Sequence, residues 1–347
     1  MHIIPAILCI VASSFMFVQA DTECPTVPAF KEDRRPSKDS LRIVQYNVEW
    51  LFVDYYSAFG CPGENCTWKN ESEALTHLNY VAKVVRDLNP DILNMCEVEG
   101  CDELNMVADL LDDSYKSYLK KGTDTSTGQN VGMLTRIDPE LNLYRTETRA
   151  SYPVPNSACN YTNTPGDTGV SKHYITEFYL TTPMNDKIHL ALIGAHFLAN
   201  PTDPTRCAER EAQAQVLQNV VYEYLRADYE VIFIGDLNDF DAEILDLNDN
   251  KPTSMVLDIM KGYAGEYAWE YELYSVGELI PKEERYSDWW DPNGDCIAEE
   301  SEYSMIDHIL VSDFIRQNIK NVFVYHGYDE FCGKYNSDHF PVVMDLF

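Results

Sequence analysis

The sequence lacks the short motifs of several large enzyme classes. It contains no GxSxG nucleophile elbow, no HExxH helix, no GxxxxGKS/T phosphate loop and no GxGxxG dinucleotide turn. Each of these motifs supplies a nucleophile, a metal ligand or a phosphate cradle that its chemistry requires. Their absence argues against a serine hydrolase, a zinc protease, a P-loop enzyme and a dinucleotide-dependent enzyme.

Basic residues are few. The 347 residues include 26 Lys and Arg against 57 Asp and Glu, which gives a formal net charge of −31. A protein of this charge repels polyanions at long range, and coating nucleic acid needs many basic contacts. The composition therefore excludes a non-specific nucleic-acid-coating protein. A polyanionic substrate remains compatible with it where a divalent cation supplies positive charge locally.

Closely spaced CxxC pairs are also absent, which argues against a structural zinc site. Ten cysteines occur, and those after Cys9 are expected to form disulfides in an oxidising compartment. Cys61 with Cys66, and Cys96 with Cys101, are each five residues apart and could close small loops. The next expected pairs are Cys159 with Cys207 and Cys296 with Cys332, which leaves Cys24 over.

The sequence has a single long apolar run, from Ile3 to Val18, and it is short for a transmembrane helix. A small-x-small pattern ends at Ala20, so residues 1–20 are predicted to be a secretory signal peptide, with no stable membrane anchor. Glycosylation sequons begin at Asn65, Asn70 and Asn160. The predicted location is extracellular, or the lumen of the secretory or lysosomal pathway.

One large domain is the simplest organisation of the chain. Residues 21–40 are polar and predict an N-terminal arm, and residues 41–347 contain no linker, repeat or low-complexity tract. Short apolar runs predict strands at 42–47, 91–96, 130–136, 174–180, 188–196, 230–236, 304–312, 321–326 and 339–347. Helical periodicity predicts helices over 71–89, about 102–112 and about 205–227. Because strands outnumber helices, an α+β fold of two packed mixed sheets flanked by helices is favoured over a doubly wound sheet.

Polar residues recur at the ends of these apolar strands. A rigid strand supports a functional side chain well, and strand ends of a sandwich can converge on one rim. Singly, each residue is explained by a turn or a cap, but eight such residues in one chain make independent accidents less plausible. The residues are Asn47, Glu97, His196, Asp236 with Asn238, Asp307, and Asp338 with His339.

The segments that carry these residues resemble the endonuclease/exonuclease/phosphatase superfamily. Their motifs are most similar in sequence to those of its secreted bacterial nucleases. They are QYNVEWL, DILNMCEVE, GAHFLA, GDLND, SMIDHILVS and NSDHFPV, in this order between residues 41 and 347. The resemblance implies a four-layer α/β/β/α sandwich and metal-dependent hydrolysis of a phosphoester.

The same resemblance implies roles for individual residues. Glu97 would be the principal ligand of a divalent cation. That cation would be Mg²⁺, and Mn²⁺ or Ca²⁺ could replace the Mg²⁺. Asn47 would hold metal or phosphate beside it, and Asp338 would orient or share the metal. These assignments suit the chemistry, because a hard cation on carboxylate oxygens neutralises an anionic phosphodiester.

The remaining residues would carry the reaction. Asp236 and Asn238 would position and activate the attacking water. His339, held by Asp307, would contact the phosphate, and His196 would donate to the phosphate or the leaving group. A carboxylate near water supplies a base, and a histidine held by an aspartate supplies a donor.

One position departs from the pancreatic-type deoxyribonucleases of this superfamily. They carry a Glu that pairs with the first catalytic histidine, and Asn130 stands at about that position here, beside Gln129. An amide can orient His196 but cannot stabilise an imidazolium, so a neutral His196 is expected. Lys172 and His173 precede a strand where family members often place a phosphate contact.

The fold cannot choose the phosphoester. A nuclease acting on DNA or RNA is the first hypothesis, with Arg206, Arg210, Arg42 and Lys172 as a local positive track. A lipid phosphodiesterase such as a sphingomyelinase is the second, with the aromatic segment 266–274 and Trp289-Trp290 as an interfacial wedge. A phosphatase is a third hypothesis, and a catalytically silent binding module is a fourth. No protein partner can be inferred.

Overall fold

A computed structural model describes residues 24–53, 60–328 and 334–347. The predicted signal peptide and Cys332 lie outside these residues. The helices are α1 Glu71–Leu88, α2 Cys101–Asp109, α3 Pro204–Arg226, α4 Val256–Lys261 and α5 Asp313–Gln317. The strands are β1 Leu41–Leu51, β2 Ile92–Val98, β3 Lys116–Leu119, β4 Asn130–Thr135, β5 Ala150–Tyr152, β6 Gly166–Thr168, β7 His173–Thr181, β8 Lys187–His196, β9 Glu230–Asp236, β10 Tyr274–Ser275, β11 Asp288–Trp289, β12 Tyr303–Ser304, β13 Asp307–Val311, β14 Ile319–Val324 and β15 Val342–Leu346.

Every predicted strand and helix is present, with ends that differ by a few residues. The segment predicted as one strand over 304–312 is two elements, because β12 pairs with β11 while β13 joins a large sheet. The prediction missed the short elements β3, β5, β6, β10, β11, α4 and α5. Of these, β3 pairs antiparallel with β4. Its sequence, Lys-Ser-Tyr-Leu, has neither a long apolar run nor β-branched residues.

Two large mixed sheets form the centre of the molecule. One has six strands in the order β14-β15-β1-β2-β4-β3, and the other has five in the order β10-β13-β9-β8-β7. The pairs β1–β2 and β8–β9 are parallel, and the other neighbours are antiparallel.

Three layers of buried side chains separate the sheets from each other and from the helices. Residues such as Ile43, Ile92 and Ile234 fill the space between the sheets. Val44, Tyr46 and Val48 of β1 pack with α1 and α2, while Ala212 and Val216 of α3 cover the second sheet. The arrangement is the predicted α/β/β/α sandwich.

Alternation along β1 decides which polar residues reach the interior. Val44, Tyr46 and Val48 face the helices, so Gln45 and Asn47 face the second sheet, since successive side chains of a strand point to opposite faces. Both of these polar side chains are fully buried. The face of β1 that packs against the helices is therefore apolar. Its opposite face, toward the second sheet, is polar at Gln45 and Asn47.

Three disulfides connect the described residues, and two of them match the predictions. Cys61–Cys66 and Cys159–Cys207 pair as expected, and Cys296 is also disulfide-bonded. The predicted Cys96–Cys101 pair is wrong, because Cys101 bonds Cys24 and Cys96 remains a buried free thiol. Cys96 lies inside β2, facing the core between the sheets, so its sulfur cannot reach the helix that begins at Cys101.

The N-terminal arm lies on the domain. Besides the Cys24 disulfide, the Arg34 backbone N–H donates to the Arg136 carbonyl, and the Arg34 guanidinium contacts the Asp138 carboxylate at 2.6 Å. None of the helices in the described residues combines the length and apolar character needed to cross a membrane.

Candidate active site

The strand ends bring the predicted residues to one edge of the sandwich. Asn47 pairs with Cys96, the residue before Glu97, near the carboxyl ends of the parallel strands β1 and β2. His196 pairs with Asp236 at the ends of β8 and β9, and Asp307 pairs with Asp236 from the other side.

The backbone departs from regular strand geometry at this edge. Glu97 has φ 66°, Glu49 has φ 49° and Asn238 has φ 48°. Left-handed backbone at a non-glycine residue costs on the order of 1–3 kcal/mol and persists where its surroundings enforce it. The register of β1 on β2 shifts between Asn47 and Leu51. Such bulges re-aim side chains, and here they coincide with the candidate metal ligand Glu97.

His339 and Asp307 form a buried hydrogen-bonded pair. His339 Nδ1 donates to Asp307 Oδ2 at 2.7 Å. Ser287 Oγ donates to the same carboxylate oxygen at 2.9 Å, and Gln45 Nε2 donates to Asp307 Oδ1 at 2.9 Å. Both oxygens of Asp307 are thus held by side chains, which fixes the histidine ring with Nε2 facing the site.

Asp236 lies at the centre of the polar cluster. Its Oδ2 accepts from Asn47 Nδ2 at 2.9 Å, and its Oδ1 accepts from the Asn238 backbone N–H at 2.9 Å. The same oxygen, Oδ2, lies 3.6 Å from His196 Nε2 and 4.0 Å from His339 Nε2. Asp236 is therefore placed between the two histidines.

Burial and crowding set the protonation of these groups. Burial, together with the Asp307 charge, raises the pKa of Asp236 to about 8. Burial opposes protonation of His339, but the Asp307 carboxylate outweighs it and raises the pKa of His339 well above its usual value. Burial, reinforced by the Lys172 charge, lowers the pKa of His196 well below its usual value. His339 is the charged imidazole of the pair, and His196 is the neutral one.

The residues around Glu97 fit a hard divalent cation. Glu97 accepts from Asn47 Nδ2 at 3.2 Å and from the Trp50 backbone N–H at 3.1 Å, and both bonds hold the carboxylate in place. Asp338 Oδ1 is buried without a hydrogen-bond partner. Burial and neighbouring carboxylates raise the pKa of Asp338 to about 7. A buried carboxylate oxygen without a donor, close to a second carboxylate, is the kind of site that Mg²⁺ or Mn²⁺ occupies.

Asn47 was expected to hold metal or phosphate, but in this structure its side chain bonds neighbouring protein groups. Its amide nitrogen faces Glu97 and Asp236, while its oxygen accepts from the Glu49 backbone N–H. In this orientation Asn47 ties the two carboxylates together and does not turn its oxygen toward a cation.

Lys172 lies beside His196 in the buried part of the site. Its Nζ is 3.3 Å from His196 Nε2 and 3.2 Å from Gln129 Oε1. The expectation that Asn130 orients His196 is wrong in this structure. The Asn130 amide bonds the carbonyls of Glu99 and Gly128 and the Gly122 N–H, and so it organises the loop.

The structure does not bring His173 into the cluster. Its Nδ1 donates to the Val170 carbonyl at 2.9 Å, and its Nε2 accepts from the Thr146 N–H at 3.0 Å. Both ring nitrogens are committed to backbone groups, so the expected phosphate contact is not available to this ring.

Four residues of the cluster were not singled out from the sequence. Asp288 Oδ1 lies 3.5 Å from His339 Nε2, and Glu49 accepts from the Asp338 backbone N–H. Gln45 and Ser287 hold Asp307, as described above. A signal existed for Gln45, which shares a strand face with Asn47 two residues on. Asp288 begins the two-residue strand β11 and Ser287 precedes it, and so short a segment has no periodicity that would distinguish them.

Comparison with known proteins identifies the class. Residues 44–339 match the model of the Endonuclease/Exonuclease/phosphatase family. Three solved structures have similar folds: an endonuclease/exonuclease/phosphatase family protein and a mannosyl-6-phosphatase, both from Bacteroides thetaiotaomicron, and the APE2 catalytic domain of Xenopus laevis.

These likenesses extend over most of each chain. The TM-scores are 0.51, 0.51 and 0.53, at 17%, 17% and 13% sequence identity. Each alignment covers 88% of this chain, and it covers 94%, 100% and 91% of the respective partners. No curated protein matches the chain in sequence.

The matched family comprises metal-dependent phosphoric ester hydrolases, among them nucleases and phosphatases. The chain belongs to the Endonuclease/Exonuclease/phosphatase family.

Proposed function

We propose that the protein is a secreted, metal-dependent phosphodiesterase that hydrolyses DNA or RNA. The observation that carries this proposal is the buried His339–Asp307 pair facing Asp236 at one edge of the sandwich. A charged donor and a carboxylate base, 4.0 Å apart, are the two groups that attack of water on a phosphodiester requires.

The reaction begins with placement of the phosphate. The His339 imidazolium donates from Nε2 to a non-bridging oxygen, where negative charge grows in the transition state. One such donor contributes on the order of 2.7–4 kcal/mol if it behaves like an oxyanion-hole donor. Glu97 and Asp338 would hold a divalent cation, which would supply further positive charge against the phosphate anion.

Asp236 receives the proton of the attacking water. Its pKa, raised to about 8, makes the ionised form a stronger base than a solvent-exposed aspartate, while most of the group is protonated at pH 7, so this step requires the ionised fraction. The Asn238 N–H and the Asn47 amide hold the two carboxylate oxygens, so the base cannot rotate away from the water. The Asn238 amide, donating to the Phe197 carbonyl, is itself held at the rim.

Two of the four residues predicted to form a positive track are not available to a substrate. Arg210 is fully buried and bonds Asp239, and Arg42 bonds Asp345, so neither faces a substrate. Arg206 remains half-buried, and Arg145 and Arg149 line a polar cavity with Ser171, next to Lys172. Fewer basic side chains are therefore placed to contact a nucleic-acid strand than the sequence predicted.

One exposed aromatic residue favours an extended substrate. Trp290 is 68% exposed, two residues beyond Asp288, which contacts His339. A base can stack on such a ring. The same ring would serve as a wedge in a lipid phosphodiesterase, so a sphingomyelinase-like activity is the second candidate. The other aromatic segment, 266–274, gives weaker support, since it consists mostly of turns and extended chain.

Secretion is supported by the oxidised cysteines, since disulfides are rare in the cytosol. Asn65, Asn70 and Asn160 are all exposed, as glycan acceptors must be. Expression in a secreting eukaryotic host should yield a mature chain that begins at Asp21 and shifts in mass after glycosidase treatment. Retention of the full chain inside the cell, without glycans, would contradict secretion.

A substrate panel tests the activity. Purified protein with Mg²⁺ would be assayed on plasmid DNA, RNA, sphingomyelin and a phosphomonoester, each with and without EDTA. EDTA-sensitive loss of DNA or RNA is expected. Intact nucleic acid beside cleaved sphingomyelin would replace the nuclease by a lipid phosphodiesterase, and intact nucleic acid beside a cleaved phosphomonoester would replace it by a phosphatase.

A further inference from the structure

A cavity of about 690 Å³ lies between α3, the strand β5 and the turns that follow α4. The described residues that line it include none of the candidate active site. Asn219, on its α3 wall, lies on the order of 20 Å along the helix from Pro204, the first residue of α3, which follows the strand that ends at His196. The cavity is therefore separate from the catalytic centre, and its volume is within the range of roughly 300–1,000 Å³ that small-molecule sites occupy.

One wall of the cavity is held in place by two buried glutamines of α3. Gln215 Oε1 accepts from the Glu266 backbone N–H at 2.9 Å, and Gln218 Nε2 donates to the Ala264 carbonyl at 2.8 Å. Gln215 Nε2 donates to Gln218 Oε1 at 2.7 Å, so the two amides also hold each other. Between these contacts Gly265 has φ 84°, and a Cβ at this residue would collide with both amides. The turn over the cavity is thus fixed before any ligand binds, which lowers the cost of binding.

The lining of the cavity is polar and has no net charge. Arg149 and Glu266 are its two charged residues, and their charges are opposite. The other polar residues carry side-chain amides or hydroxyls, and they are Ser151, Asn156, Gln215, Asn219 and Tyr263. The net charge of −31 of the whole chain adds a general repulsion of anions. This lining therefore favours a neutral ligand with many hydrogen-bonding groups.

The rest of the cavity surface is apolar. Val154, Val216 and Met255 contribute aliphatic and thioether groups. The ring of Tyr263 is stacked with the exposed ring of Trp269, with 5.5 Å between the ring centroids. A pyranose ring has apolar C–H faces and edges that carry hydroxyls, so it matches both kinds of surface. An alkyl chain would match only the apolar part and would leave the polar side chains without partners.

Asn219 has a hydrogen-bonding atom that the fold does not use. Its Oδ1 is buried, and no described residue donates to it. Leaving a buried acceptor without a donor costs free energy of folding. Rotation of the amide exchanges its oxygen and nitrogen, so Asn219 can present an acceptor or a donor to the cavity. A sugar hydroxyl both donates and accepts, and it could therefore pair with either atom.

We infer that this cavity binds a neutral carbohydrate of the size of a mono- or disaccharide, with Asn219 hydrogen-bonded to a sugar hydroxyl. The aromatic ring of Tyr263 contacts the apolar face of the sugar. The site would attach the protein to glycans, and it acts independently of the hydrolytic centre at the other edge of α3. Neither the metal nor the phosphate contacts of that centre take part in it.

Saturation-transfer NMR on the purified protein tests the ligand class. The probes are mannose, galactose, N-acetylglucosamine, mannobiose, lactose and chitobiose, with adenosine as a non-carbohydrate of similar size. We expect saturable binding of at least one sugar and none of adenosine. Absence of binding for all six sugars would overturn the inference, and binding of adenosine alone would replace the carbohydrate by a nucleoside.

A pair of matched variants tests the role of Asn219. Asn219→Leu should weaken binding of the best sugar at least tenfold in titration calorimetry. Its thermal midpoint should be no lower than that of wild type, because the side-chain oxygen makes no hydrogen bond in the folded chain. Asn79→Leu is the control, a change at an exposed asparagine of α1 whose amide donates to the Leu75 carbonyl, and it should keep the wild-type affinity. Equal affinities in all three proteins would contradict the inference.

A third variant fills the cavity. Ala268→Trp places a large ring among the lining residues and should abolish sugar binding. Asn219→Leu and Ala268→Trp should both keep the wild-type kcat on bis-p-nitrophenyl phosphate, because neither residue lies in the candidate active site. Undiminished sugar binding in Ala268→Trp would overturn the location of the site. Sugar binding without phosphodiester cleavage would refute the proposed function alone, and cleavage without sugar binding would refute this inference alone.

Discussion

The imidazole of His339 is held at Nδ1 by Asp307, whose two oxygens are in turn held by the side chains of Gln45 and Ser287. This chain of contacts leaves Nε2 as the ring nitrogen that faces the site. At the scale of residues, the site is a set of donors and carboxylates that hold one another in place before any ligand binds. Such preorganisation lowers the cost of reaching the transition state.

Removing the charged donor or the principal ligand tests this arrangement. His339→Ala and Glu97→Gln should each lower kcat by about 10² or more, since each removes transition-state stabilisation. Steady-state kinetics on bis-p-nitrophenyl phosphate would measure it, and circular dichroism would show that the fold is retained. Turnover near that of wild type in either variant would remove the site assignment.

The support of Asp307 can be tested separately. Ser287→Ala should lower kcat about tenfold with little change in KM, because one hydrogen bond to a charged group contributes about 1.5–3 kcal/mol. Ser254→Ala is the matched control, since that buried hydroxyl donates to Asp239, which is paired with Arg210 away from the centre. Equal losses in the two variants would show that the Ser287 effect is structural only.

At the scale of elements, the ends of two parallel strand pairs place the site. β1 and β2 carry Asn47 and Glu97, while β8 and β9 carry His196 and Asp236. The carboxyl ends of parallel neighbours lie at one edge of a sheet, so polar residues that follow two such strands meet in space. The positive φ of Glu97 then sets the direction of its side chain.

His173, at the start of β7, contributes to stability as a neutral group. Burial, reinforced by the Arg145 charge, lowers the pKa of His173 to about 3. An unfolded histidine has a pKa of about 6.5, so the unfolded state binds more protons between these two values. The stabilisation is complete above about pH 6.5 and is lost as the pH falls toward 3.

The low pKa of His173 should give the free energy of unfolding a measurable dependence on pH. The free energy of unfolding should fall by up to about 1.4 kcal/mol per pH unit below pH 6 on account of this histidine. Urea denaturation between pH 4 and 7 should show a smaller slope in His173→Gln than in wild type. His189→Gln, at an exposed position, should keep the wild-type slope. Identical slopes in all three proteins would contradict the assignment.

The sequence predicts elements better than contacts. Apolar runs and helical periodicity depend on neighbours along the chain, so the large strands and α1 to α3 were predictable. The contacts of Ser287 and Asp288 with Asp307 and His339 join segments far apart in sequence, and no local pattern encodes them. The Cys24–Cys101 disulfide was missed for the same reason, since 77 residues separate its cysteines. The roles of His173 and Asn130 depended on which backbone groups they meet.

At the scale of the whole molecule, the net charge of −31 opposes a polyanionic substrate. Screening by salt weakens this repulsion, since the Debye length falls to about 10 Å at 0.1 M. The site itself is less affected, because its charges are buried and close together. The protein thus combines a strongly negative net charge with a centre for which we propose phosphate binding.

The charge predicts an unusual salt response for a nuclease. Basic nucleic-acid-binding proteins lose affinity as salt rises, because counterion release drives their binding. Here kcat/KM on DNA should rise between about 20 and 100 mM NaCl, at fixed Mg²⁺, as the mutual repulsion is screened. The small anion bis-p-nitrophenyl phosphate serves as the control and should respond much less. A steep fall on DNA would contradict this prediction and point to a basic binding surface.

The central claim is that the carboxylates at the edge of the sandwich form a metal-dependent phosphodiesterase centre. The most direct measurement is hydrolysis of bis-p-nitrophenyl phosphate by the purified protein in Mg²⁺, after EDTA, and after Mg²⁺ or Mn²⁺ is restored in excess. We expect activity that disappears with EDTA and returns with the metal. Full activity in excess EDTA would contradict the claim.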